Sequence, residues 1–297
     1  MPIQQLADRI ILNHPKGASA EVLLYGATVT SWKAGDKRNP EPVERLFVSS
    51  KAALDGSKAV RGGIPVVFPC FGAPTHPDHQ NLSQHGFARS ELWSWDGVVM
   101  DNEAGVSVRL VLEPSQKIAA IYTKPFRLNY VVTLAEHQLS TDIHVTNTST
   151  STESFEFQAL FHTYIRAPSD SVSVTPLQGL SYKDKTDSSF QGSKTESRAA
   201  VDVKKFTDSV YTNAPQKYEV SWSGGGISVR SQNLKDVVIW NPQAEAGSKI
   251  GDMEEGGWER FVCVEPGYVD GFQQVSAGST WIGGQVLTVV HEEKLHI

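Results

Sequence analysis

Alternation with a period of two dominates the chain. In Phe126-Arg-Leu-Asn-Tyr-Val-Val-Thr-Leu134, the residues Phe126, Leu128, Tyr130, Val132 and Leu134 share one face. After the short connection Ala-Glu-His-Gln, Leu139, Thr141, Ile143 and Val145 alternate with Ser140, Asp142, His144 and Thr146. Two such runs across a few polar residues predict a β-hairpin. Val106, Val108, Leu110 and Leu112 repeat the pattern, as do residues 19–25 and 281–290. Helical periodicity is scarce: Ser50-Lys-Ala-Ala-Leu-Asp-Gly56 predicts one short turn, with a serine to cap it and Gly56 to end it. Gly224-Gly-Gly226 reads as a turn, and the polar stretch 181–195 as a long exposed loop. With 24 glycines and 15 prolines cutting the chain into short segments, and no hinge-like linker or repeat, the expectation is one antiparallel β-sandwich domain over residues 1–297.

Composition narrows the classes. The 39% hydrophobic content of 297 residues can supply a full core, so disordered and collagen-like classes are excluded. A net charge of −6 without a basic run argues against non-specific nucleic-acid binding. No stretch reaches the roughly 18 to 20 apolar residues of a membrane span, and the first residues do not read as a secretory signal. Cys70 and Cys263 both sit in apolar runs, which predicts buried reduced thiols and a cytoplasmic protein. The sequons at Asn81 and Asn147 then carry no meaning.

Five segments carry candidate chemistry. His76-Pro-Asp-His79 has a spacing that suits a metal, but lacks a third evident ligand and reads better as a solvated loop. Phe155-Glu-Phe-Gln-Ala-Leu-Phe-His-Thr-Tyr164, taken as a strand, puts Phe155, Phe157, Ala159, Phe161 and Thr163 on one side. His162 then lies on the more polar side with Glu156, Gln158, Leu160 and Tyr164; a packed, hydrogen-bonded histidine is the competing reading. In Arg260-Phe-Val-Cys-Val-Glu-Pro-Gly267, Glu265 closes an apolar run and Pro266-Gly267 is expected to turn the chain directly after it. A carboxylate there is costly unless paired or used. Arg61, in Val60-Arg-Gly-Gly-Ile-Pro65, and Arg89, in Gln84-His-Gly-Phe-Ala-Arg89, lie beside glycines that allow close approach of a ligand. Their guanidinium forks suit a carboxylate or phosphate, or equally loop carbonyls. There is no phosphate loop of the Walker type and no dinucleotide fingerprint.

Taken together, Arg61-Gly-Gly-Ile-Pro with Phe68-Pro, Gln84-His-Gly-Phe-Ala-Arg89, Leu160-Phe-His-Thr-Tyr164 and Val264-Glu-Pro-Gly267 resemble the hexose-6-phosphate mutarotases in order and spacing. These glucose-6-phosphate 1-epimerases belong to the aldose 1-epimerase superfamily. Leu24-Tyr-Gly-Ala-Thr-Val29, Leu54-Asp-Gly-Ser-Lys58 and Val238-Ile-Trp-Asn-Pro242 are similar as well, so the resemblance covers essentially the whole chain. It implies an all-β, galactose-mutarotase-like β-supersandwich with the sugar in a concave cleft. It also implies an isomerase that interconverts the α and β anomers of hexose 6-phosphates, with His162 as general acid and Glu265 as general base. By the same resemblance Arg61 and Arg89 match arginines at the phosphorylated substrate, and Gln84, His85 and Asp208 match sugar contacts, with Asp184 and Asp202 competing for the place of Asp208. No metal and no cofactor is implied, and the expected partner is a small sugar phosphate, bound by a monomer. The rivals are a mutarotase for free aldoses and a non-catalytic carbohydrate-binding protein on the same fold. A glycoside hydrolase, which needs two carboxylates, fits less well. From the ordinary pKa values of about 4.3 and 6.5, Glu265 would start ionised and His162 protonated.

Overall fold

The computed structural model describes residues 1–189 and 192–290. Alternation becomes three sheets in which every ladder is antiparallel, with strand taking 48% of the chain and helix 7%. The expected hairpin pairs Phe126–Leu134 with Gln138–Asn147, Leu139 facing Leu134, and all five predicted inward residues of the first strand are buried. It sits within a nine-stranded sheet that also holds Gly105–Leu112 and Thr280–Val290. An eight-stranded sheet contains Phe155–Phe161, Thr207–Tyr211, Asp236–Asn241 and Phe261–Val275. A five-stranded sheet is built from the first 44 residues.

One core cluster takes residues from all three sheets, including Trp32, Leu128, Tyr130, Phe157 and Val264. The two larger sheets meet through Tyr130 against Phe161 and Phe157 against Trp281, with ring centroids 6.2 and 5.3 Å apart. Phe155, Phe157, Ala159 and Phe161 therefore point into the sandwich, as alternation predicts, and the opposite face of the eight-stranded sheet is left for other work. Cys70 and Cys263 are both buried and unpaired, as expected. Residues 223–224 form the tight turn between Lys217–Trp222 and Gly225–Gln232. Among the described residues, no helix is long and apolar enough to cross a membrane.

Four expectations need correction. Residues 50–56 form no helix. A single turn closes by Ala52 N–H donating to Ser49 C=O, and the serine that caps it is Ser49, whose hydroxyl accepts from Lys51 N–H. The stretch 181–195 is not a plain loop: Ser181–Asp184 pairs with Lys194–Thr195 and docks on Thr207–Tyr211. Its polar residues suit an edge hairpin, exposed on one face and half-buried on the other; residues 190 and 191 lie outside the described part. The chain also does not turn at Pro266-Gly267, since the strand Phe261–Val275 runs through them. Toward its neighbour on the side of Phe155–Phe161, residues 264–266 lie in a gap between two ladder segments, so the missing N–H of Pro266 deprives no partner there. Finally, His79 is not solvated. It is fully buried in a 3₁₀ turn against His76, Tyr122 and Phe272, with neither ring nitrogen hydrogen-bonded. His76 carries the polar contact there, 3.1 Å from Glu156.

Candidate active site

The outer face of the eight-stranded sheet owes its chemistry to register. Cross-strand neighbours form two rows. One is Asp208, Trp240, Cys263 and Tyr164; two residues along each strand, the next is Val210, Val238 and Glu265. Strand Phe155–Phe161 pairs Leu160 with Gly267, and Tyr164–Arg166 pairs Tyr164 with Cys263. Both segments run in one register, and continuing it puts His162 opposite Glu265. At that point the chain leaves the ladder: His162 N–H donates to Pro65 C=O, and the Thr163 hydroxyl is bonded to Gln285 in the core. The second row thus ends in an imidazole facing a carboxylate, and alternation puts Tyr164 beneath the imidazole.

His162 Nδ1 lies 3.3 Å from Glu265 Oε1, with the side chains 11% and 2% exposed. The approach is too poorly aligned to count as a hydrogen bond, and Nδ1 and Oε2 have no other partner. Burial pushes the Glu265 carboxyl well above its ordinary range, and the nearby Asp208 adds to the shift. Burial likewise pushes His162 well below its ordinary value, helped by His85, Arg89 and Arg61. The free site is therefore driven opposite to the expectation from ordinary pKa values, toward a neutral carboxyl beside a neutral imidazole. The proton count of the pair is the same in either arrangement: one.

Two loops bring the arginines. In the first, Gly62 bridges to Val48 and Gly63 N–H donates to Phe47 C=O, holding Arg61 over the end of the sheet. Arg61 donates to Asp252 at 3.0 Å and to the Tyr164 hydroxyl at 3.2 Å. These neighbours, Tyr164 first, hold its pKa above the ordinary value. In the second loop Gly86 bridges to Phe68, and Arg89 donates to Gln84 C=O at 3.0 Å. Arg89 makes no ion pair among the described residues, and burial lowers its pKa.

His85 adopts a left-handed φ of 68° and is buried; its Nδ1 accepts from Gly72 N–H, which leaves Nε2 to carry the ring proton. Burial and the charges of Arg89, Lys185 and Arg61 take it down to about 3, so it stays neutral. Asp208 is 3.6 Å from Lys185 Nζ. Burial raises its pKa against the pull of that lysine.

All seven residues singled out from the sequence, Arg61, Gln84, His85, Arg89, His162, Asp208 and Glu265, line one cavity of about 200 Å³. Asp184 and Asp202, the competitors of Asp208, do not: Asp184 pairs with Lys194, and Asp202 accepts from the backbone of Lys204. Phe71, Lys185, Val238 and Trp240 complete the lining. Sequence reasoning missed Lys185, which lay within the supposed loop, and the supports Tyr164 and Asp252. The Tyr164 signal was present, two residues beyond His162 on the same strand face. Lys185 and Asp252 had none.

A cavity that sets one acid–base pair among two arginines and a lysine suits a small polar, anionic molecule that gains and loses single protons. Comparison with known proteins agrees. Residues 8–288 match the family described as aldose 1-epimerase. A protein from Cenchrus ciliaris named "Putative glucose-6-phosphate 1-epimerase" is 31% identical over 95% of this chain and 85% of its own length. One of the same name from Escherichia coli is 31% identical over 91% of this chain and 86% of its own. The crystal structure of a "putative mutarotase" from Salmonella typhimurium superposes with a TM-score of 0.83 at 26% identity, covering 98% of this chain and 93% of that one. The chain belongs to the aldose 1-epimerase family.

Proposed function

We propose that this protein interconverts the α and β anomers of hexose 6-phosphates, with His162 and Glu265 as the acid–base pair and Arg61 and Arg89 at the phosphate. The names of its relatives support the reaction and the substrate. The observation that carries the phosphate is Arg89, a guanidinium lining the His162–Glu265 cavity without a carboxylate of its own. A doubly charged group is best met by such charge-assisted donors.

Anomers exchange when the hemiacetal opens to an aldehyde, the carbonyl carbon rotates and the ring closes on its other face. Opening takes a proton from the anomeric hydroxyl and gives one to the ring oxygen. The pair must therefore hold a single proton, one member acting as base and the other as acid, with roles reversing on closure. In the free site burial favours that proton on Glu265. Phosphate bound at the arginines offsets the positive charges that lower His162, which moves the proton toward the imidazole and readies it as the acid, with Glu265 as the base. Gln84, His85 and Asp208 hold sugar hydroxyls. The reading takes residues 1–297 as a single domain, which the shared core cluster supports. It takes the chain as a monomer, and as cytoplasmic, in keeping with two buried free cysteines.

The test is NMR exchange or polarimetry on each hexose 6-phosphate and its free sugar, for the native protein and for Arg89→Ala. A hydrogen bond to a charged group contributes about 1.5 to 3 kcal/mol, or roughly 10- to 150-fold. The variant should lose that factor in kcat/KM on the phosphates and little on free sugars, and Arg89→Lys should recover part of it. An equal loss on both sugars would place the phosphate elsewhere. Faster turnover of the free sugar by the native protein would favour the aldose reading.

A further inference from the structure

The register that builds the acid–base pair also brings a thiol to it. Cys263 and Glu265 are two residues apart on one strand and share its outer face, while His162 approaches from across the ladder. Among the described residues these three form the one grouping of imidazole, thiol and carboxylate whose donor atoms all lie within 4.8 Å of one another. We propose that they constitute a latent site for a borderline or soft divalent cation, zinc or cadmium, and that its occupation blocks turnover.

Three observations carry this. First, the donor set is one nitrogen, one sulfur and one oxygen, the mixture that zinc accepts and that magnesium or calcium does not favour. Second, the spacing is close to what coordination requires. Donors 2.0 to 2.3 Å from a tetrahedral centre lie about 3.4 to 3.8 Å apart; His162 Nδ1 and Glu265 Oε1 are already at 3.3 Å, and the thiol needs a shift of about 1 Å. Third, two of the ligating residues have buried atoms without a hydrogen-bond partner among the described residues. His162 Nδ1 and Glu265 Oε2 both lack a hydrogen-bond partner, on residues 8% and 1% exposed. A dication would satisfy the imidazole Nδ1 and the charge of the carboxylate, and would outweigh the burial that keeps the Cys263 thiol protonated. His162 and Glu265 line the cavity, so water can enter from that side as a fourth ligand.

Coordination would occupy the lone pairs that proton transfer needs. The cation is thus an inhibitor competing with the sugar, not a cofactor. The inhibition half of the inference rests on the proposed function; the binding half stands without it. Both are tested on the full chain, freed of metal and titrated with cadmium while the ultraviolet cadmium–thiolate charge-transfer band is followed. One equivalent should saturate the band in the native protein and in Cys70→Ser, and the band should vanish in Cys263→Ser and Cys263→Ala. His162→Asn and Glu265→Gln should each weaken binding at least tenfold. A hexose 6-phosphate should displace the cadmium from the native protein, a measurement that needs no variant to fold.

In the anomer-exchange assay zinc should slow the native protein competitively and a chelator should restore it. Cys263→Ser should keep its basal rate and lose at least tenfold in zinc sensitivity. Absence of the band, or its survival in Cys263→Ser with unchanged affinity, would overturn the site; failure of the sugar phosphate to displace cadmium would overturn the competition, and with it the inhibition. Cadmium bound through Cys263 in a protein without anomer exchange would uphold the site and overturn the enzyme reading instead.

Discussion

The imidazole of His162 lies face to face with the phenol of Tyr164, ring centroids 4.7 Å apart and 9° between planes. Two residues apart on an extended segment, the rings must share a face, and the edge of Trp240 closes against both. The Tyr164 hydroxyl accepts from Arg61, so one side chain supports the His162 imidazole from below and a guanidinium at its tip. Tyr164→Phe should leave the stack intact and free Arg61 on one side. The expected result is a rise in KM for hexose 6-phosphate of up to about tenfold with little change in kcat. Tyr164→Ala should lower kcat as well, because the imidazole loses its platform. Steady-state kinetics on the two variants checks the split.

His162→Asn and Glu265→Gln should each cut turnover by about 10² to 10⁴. Combined, they should be little worse than the poorer single variant, since both act in the same proton transfers. Glu265→Gln should not destabilise the fold. The folded-state pKa of Glu265 is raised, so its carboxyl binds a proton that the unfolded chain releases from about pH 4.5 upward. Its stabilising contribution is full below that pH and is lost as the pH rises toward the folded value. Removing it should make the variant's melting temperature fall less than the native protein's as pH rises, as calorimetry across the range would show.

Asp208 is among the causes that raise Glu265. The alkaline limb of the free-enzyme pH profile reports loss of the last proton of the pair. Asp208→Asn removes a negative charge, eases that loss and should move the alkaline limb of kcat/KM to lower pH. An unmoved or upward-shifted limb would mean that a different group sets it. Substrate phosphate, with a second pKa near 6, adds its own step on the acid side.

His79 supplies a prediction far from the chemistry. Burial, with His76 beside it, takes its pKa down to about 4. Between the ordinary value of about 6.5 and that figure, the unfolded chain binds a proton that the folded one refuses, so stability is lost as the pH drops through this window. His79→Leu should flatten that part of the curve, measured as denaturation midpoints at several pH values.

What the sequence revealed and what it hid divide along local and long-range lines. The hairpin of residues 126–147 was legible because its alternation and its turn are contiguous. The faces of Phe155–Phe161 were legible for the same reason. That His162 stands opposite Glu265 was not, because nothing local states which strand lies beside which; four motifs with a family resemblance supplied what periodicity could not. Glu265 itself was misread as a strand end, since proline and glycine together usually turn a chain, and only the interruption at His162 makes room for Pro266 within the sheet. His79 was misread because a His-Pro-Asp-His run without a third ligand reads as a solvated loop, whereas Tyr122 and Phe272, which cover it, come from distant segments. Lys185 was invisible in a polar stretch that pairs only at its ends.

The glycines at 63 and 86 have φ of 68°, and a side chain at either would strike the backbone, of Val29 in one case and Phe68 in the other. The guanidinium-bearing loops are thus bolted to the scaffold main chain to main chain, while Glu265 lies on one of the sheet's own strands and His162 at the break in the strand beside it. Ligand choice and bond-making chemistry become separable in such a body. Exchanging the side chains at 61 and 89 alters the charge the cavity welcomes without moving the mounts or the paired strands. Substitution at 61 or 89 can therefore change the charge of the cavity while the main-chain anchors of both loops stay in place.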